Sequence, residues 1–106
     1  MATGRLGTAD LAATTLTTLY TAPASTFSVV SVNICNRSTS TVSVRIAISS
    51  SATPGNDEYI EYDAEILSKN VLERTGLVLD SGKNIVIRAT GASCSAVCYG
   101  IETATS

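Results

Sequence analysis

The stretch Thr41-Val42-Ser43-Val44-Arg45-Ile46-Ala47-Ile48 decides the fold. Val42, Val44, Ile46 and Ile48 alternate with Thr41, Ser43, Arg45 and Ala47, the period-two pattern of a half-buried strand built from β-branched residues. An amphipathic helix would space its apolar positions by three and four instead. The same period runs upstream, where Phe27 to Asn36 sets Val30, Val32 and Ile34 on one face. Val29, Ser31, Asn33 and Cys35 take the other. Between the two runs, Asn36-Arg37-Ser38-Thr39-Ser40 is turn chemistry.

Farther out the strands shorten. Leu16-Thr17-Thr18-Leu19-Tyr20 is a β-rich run stopped by Ala22-Pro23-Ala24-Ser25. After a loop over 49–56, Glu58 to Asp63 alternates, with Glu58, Ile60 and Tyr62 opposite Tyr59, Glu61 and Asp63. Ser68-Lys69-Asn70 is a turn, Val71 to Thr75 a short strand, and Gly76 interrupts it before Leu77-Val78-Leu79. Asp80-Ser81-Gly82-Lys83-Asn84 reads as a tight hairpin turn, because Gly82 can supply a positive φ. Ile85 to Ala89 and Cys94 to Ile101 complete the set. Ala64 to Leu72 contains good helix formers but is short and poorly capped. Residues 1–15 are small, polar and aperiodic and read as an N-terminal arm or an extended lead-in strand, with the sandwich domain over 16–106. Seven to eight short strands with turn signals about every 8–12 residues predict an all-β chain, a single antiparallel β-sandwich of jelly-roll or Ig-like form.

The chain of 106 residues has room for one domain. Its formal net charge of −2 argues against nucleic acid as a partner. No run approaches the ~18 apolar residues of a membrane span, and the first residues lack the apolar core of a secretory leader. His and Trp are absent. Lack of His removes the commonest general base and metal ligand. Serines abound, since Ser and Thr exceed a quarter of the chain, yet no G-x-S-x-G elbow or phosphate-binding glycine loop is present. The chain is therefore expected to be non-enzymatic, without catalytic residues, cofactor or metal.

Three residue groups need weighing. Cys94 and Cys98 share a strand face about 13 Å apart and cannot bridge each other. Free buried thiols are favoured over a bond from Cys35 to either across two sheets. Asp57, Glu58, Glu61, Asp63 and Glu65 gather five of the nine acidic residues. Hard cations want such oxygens, but strand alternation separates Glu58 from Glu61, so a solvated acidic edge is favoured over a calcium site. Tyr20, Tyr59, Tyr62 and Tyr99 are weighed as a sugar-stacking platform and read rather as core and interface residues.

Leu19-Tyr20-Thr21-Ala22-Pro23-Ala24-Ser25-Thr26 leads into Val30-Ser31-Val32-Asn33-Ile34-Cys35-Asn36 and Val42-Ser43-Val44-Arg45-Ile46-Ala47. Glu58-Tyr59-Ile60-Glu61-Tyr62-Asp63, Leu72-Glu73-Arg74-Thr75-Gly76-Leu77-Val78-Leu79 and the Asp80-Ser81-Gly82 turn follow. Over residues 5–101 this layout resembles small β-sandwich virion structural proteins of tailed bacteriophages, particularly those of cyanobacterial and marine phages. The resemblance implies a virion protein assembled in the bacterial host cytoplasm. Its first expected role is capsid decoration (cement), its second a neck or tail component, and its third a receptor- or carbohydrate-binding fibre module. The implied partners are the major capsid protein or another virion protein, together with copies of itself in a symmetric oligomer such as a trimer. Partner contacts are expected from Arg5, Leu6 and Leu11 of the arm and from Tyr20, Tyr59, Tyr62 and Arg74.

Overall fold

A computed structural model describes residues 3–105. Eight strands follow in order: β1 (Thr3–Leu11), β2 (Thr17–Thr21), β3 (Thr26–Asn36), β4 (Val42–Ser49), β5 (Tyr59–Ile66), β6 (Val71–Leu79), β7 (Asn84–Ala89) and β8 (Cys94–Ala104). They form two four-stranded antiparallel sheets, β1-β8-β3-β6 and β2-β7-β4-β5. This is a β-sandwich, and of the two expected forms the strand order is the jelly roll. Every connection but one passes from one sheet to the other; only β4 and β5 are joined as a hairpin within a sheet. The Asp80–Asn84 turn is therefore not a hairpin. It carries the chain from β6 across to β7, with Gly82 at φ 79°.

The central strands bear out the alternation. All eleven residues of β3 alternate, with Val30, Val32 and Ile34 buried at its middle. Polar Ser28 and Asn36 are buried toward its two ends. Opposite stand Val44, Ile46, Ile85 and Ile87, all fully buried. β8 contributes the small inward residues Cys94, Ala96 and Cys98, which let the sheets close without a void. Along β4 the expected parity ends at Ile46. Ala47 lies on the outward parity beside Val86, yet both are buried. Ile48 is only half-buried, where β5 shifts its register against β4.

Residues 3–11 are not a free arm. They form β1, laid along β8 from Thr3 opposite Ile101 to Leu11 opposite Cys94. Leu11 is in the core and Leu6 packs against it, so residues 3–11 belong to the sandwich as an extended lead-in strand. The aperiodic sequence has a physical cause. β1 is an edge strand, bulged at Leu6, and its partner comes from the far end of the chain. Gly7 lies where β1 meets β2: a Cβ there would stand 2.2 Å from the Leu19 carbonyl oxygen. β6 is likewise one strand through Gly76 rather than two pieces, with a register shift against β3 at that point.

Candidate functional site

The groups best suited to chemistry are consumed in holding the sandwich together. Tyr20 on β2 reaches between the sheets, where its hydroxyl donates to Glu102 (2.6 Å) and lies 2.6 Å from Ser28 Oγ. Burial and then the Glu102 carboxylate push the Tyr20 phenol up to about 12. The acidic residues disperse rather than converge. Glu58, just before β5, accepts from the Ser49 hydroxyl (2.9 Å) and from the Gly55 and Ser50 amides (2.8 and 3.1 Å). Those bonds, the Gly55 amide first, hold its carboxyl below the usual range. Glu61 pairs with Arg74 of β6 (2.6 Å), tying the β5 and β6 edges across the open side of the sandwich. Asp63 pairs with Arg45 (2.7 Å), whose guanidinium holds the Asp63 carboxyl low. Among the described residues no group of three or more acidic or thiol side chains is arranged to hold a metal.

The three thiols all lie in the first sheet and are free. Cys94 and Cys98 face the core from β8, while Cys35 is on the outward parity of β3, so no bond spans the two sheets. Burial pushes the Cys98 thiol up to about 11 and raises Cys94 as well.

With no cavity found among the described residues, surface remains. The outer face of the second sheet carries a polar and aromatic cluster. Arg45 lies 4.0 Å over the Tyr62 ring, and Tyr59 meets Tyr62 edge-on with centroids 5.2 Å apart. Asp63 holds the other side of Arg45 from a positive-φ bulge in β5. Arg88 of β7 is the direct cross-strand neighbour of Arg45. Tyr62 stays 58% exposed despite these contacts. The outer face of the first sheet differs: Val78, Val29 and Ile101 lie side by side across β6, β3 and β8, all open to solvent, with Phe27 beside them on β3.

The structure separates the residues expected at partner contacts. Arg5, Tyr59 and Tyr62 are surface groups, Tyr59 half-buried. Leu11 and Tyr20 are core residues at 2% and 8% exposure, and Leu6 is half-buried and packs on the core. Their role changed because β1 and β2 joined the sheets. Arg74 is engaged with Glu61. The four tyrosines do not form one platform: Tyr20 is internal, Tyr99 bonds Glu73 on the first sheet, and only Tyr59 and Tyr62 meet. Not singled out for partner contacts were Val29, Val78 and Ile101, nor Arg45 and Arg88. Their signal was an apolar or cationic side chain on the outward parity of a strand. No protein-family model, curated protein or solved structure matches the chain.

Proposed function

We propose that this chain is a non-enzymatic structural protein of a tailed-phage particle, a decoration protein seated on the outer lattice of the major capsid protein. The observation that carries the reading is the Tyr59–Tyr62–Arg45 cluster. Tyr and Arg are the residues that dominate protein interfaces, and they do so best when held in place before binding. Here stacking, an edge-on ring contact and an ion pair hold them on an open sheet face. Hydroxyl groups in the surrounding loops suit a wet, adaptable rim. The architecture adds support by analogy only, since jelly rolls recur in viral capsid and lectin domains alike. Assembly in the host cytoplasm agrees with three unbridged thiols.

The test is a pelleting assay in which purified chain is mixed separately with empty heads and with tails. Co-sedimentation with heads, weakened about tenfold or more by Tyr62→Ala, is the expected result for an interface anchor. Binding to tails alone would move the chain to the neck or tail. Binding to host glycans but to neither particle part would overturn the structural reading.

A further inference from the structure

We infer that the outer face of the second sheet receives an acidic segment of a partner protein, whose carboxylate pairs with Arg88. This rests on the reading of the Tyr62 cluster as a partner anchor and adds what the partner carries there.

Arg88 is the unsatisfied member of that face. It stands directly across from Arg45 in the register of β7 and β4, so two cationic side chains leave the sheet about 5 Å apart. Like charges opposed in this way work against the sheet in the free chain. Arg45 has its own counter-ion: its Nε and Nη2 donate to the two oxygens of Asp63 at 2.7 and 3.3 Å. Arg88 makes no ion pair with any described residue. The reason lies in the sequence around it. β7 contains no acidic residue, and neither do its two neighbours, β2 and β4. Glu65 of β5 lies opposite Ser43, two strands away from β7.

The backbone keeps Arg45 committed. Asp63 adopts φ 56° on the β5 bulge, a left-handed conformation that costs a non-glycine residue and recurs at functional sites. Its carboxylate holds one side of Arg45 while the Tyr62 ring lies 4.0 Å away on the other. The surplus positive charge therefore belongs to Arg88, one strand beyond Arg45 from the exposed Tyr62.

The chemistry of the occupant follows from charge and shape. The chain as a whole carries a formal net charge of −2, so this is one positive spot on an acidic protein. A nucleic acid is held by arrays of cations, which this face lacks. No cavity among the described residues encloses a small anion. A protein segment presenting a carboxylate fits both facts. The guanidinium fork makes two parallel bonds to it, and Tyr62 offers an aromatic surface to its neighbours.

Titration of the full chain with a capped oligoglutamate peptide at low ionic strength, followed through the arginine Nε–H resonances, tests the inference. A saturable shift at Arg88 is expected. Arg5, which also makes no ion pair with a described residue, is the control for non-specific attraction and should shift little. Arg88→Gln should weaken peptide binding about fivefold or more and Arg88→Lys should retain much of it, both with unchanged circular dichroism and melting temperature. An Arg88 resonance indifferent to the peptide, equal shifts at Arg5, undiminished binding by Arg88→Gln, or a preference for an acidic glycan over the peptide would each overturn the inference. The titration uses the chain alone, so its outcome is distinct from a failure to bind heads. Capture by heads that Arg88→Glu leaves unchanged would overturn this inference and spare the proposed function.

Discussion

Asn36 shows how much a single side chain does here. Fully buried where β3 ends, it donates to the carbonyls of Ser40 (2.8 Å), Ile66 (2.9 Å) and Leu67 (3.2 Å). It also accepts from the Ser38 amide and hydroxyl. Two loops are thereby fastened to one amide. Asn36→Ala would strand several of these partners with few replacements, and chemical denaturation should show a loss of about 3 kcal/mol. In the sequence this Asn read simply as a turn residue, because a local pattern does not reveal which carbonyls a distant loop brings. The thiols behave oppositely: their buried, unbridged state was expected from count and spacing. Cys94 and Cys98 are fully buried, with thiols raised by burial, whereas Cys35 is half-buried on the outer face. A thiol-exchange reagent at neutral pH should therefore modify one cysteine rapidly in the native protein and three after unfolding.

At the scale of elements, the β4–β5 hairpin closes its loop on Glu58. The bonds from Ser49, Ser50 and Gly55 favour the ionised carboxylate and hold its folded pKa below the ordinary value. A group depressed in this way contributes stability above its unfolded pKa and loses it as pH falls through the folded one. Melting curves from neutral pH down through the carboxylate range should thus show an acid limb that Glu58→Gln flattens, at the expense of stability near neutrality. The contact between β1 and β2 is equally specific. A methyl group at Gly7 would run into the Leu19 carbonyl, which belongs to the backbone and has little room to yield. Gly7→Ala should cost about 2–3 kcal/mol, seen as a melting temperature lower by roughly 10 °C or more. Strands were legible in proportion to their burial. The alternation of β3 and the first half of β4 reflects one face against the core, whereas edge strands β1 and β5, bulged and half-solvated, carry weaker patterns.

For the whole molecule, the jelly-roll order makes nearly every strand pairing non-local. β1 pairs with β8, β2 with β7 and β3 with both β6 and β8. Loop-closure entropy must be met before those contacts form, so refolding should fall in the range of milliseconds to seconds. Stopped-flow dilution from denaturant would check this, and a microsecond phase carrying the full amplitude would contradict it. Of the candidate surfaces, sequence alone exposed the ingredients and misplaced several. Tyr59, Tyr62 and Arg5 were picked out and are on the surface, whereas Leu11 and Tyr20 were picked out and are in the core.

The amino-acid sequence by itself determined the all-β class, the positions of most strands and the inward faces of β3 and early β4. These follow from short-range periodicity and composition, which any chain segment displays without reference to its neighbours. Tertiary structure alone decided the strand order, the entry of residues 3–11 into the first sheet and the assembly of Arg45, Tyr59 and Tyr62 into one cluster. It alone also decided the meeting of Val29, Val78 and Ile101. Each of these depends on which distant strands lie side by side, and that is set by packing two sheets around a common core rather than by any local stretch of chain.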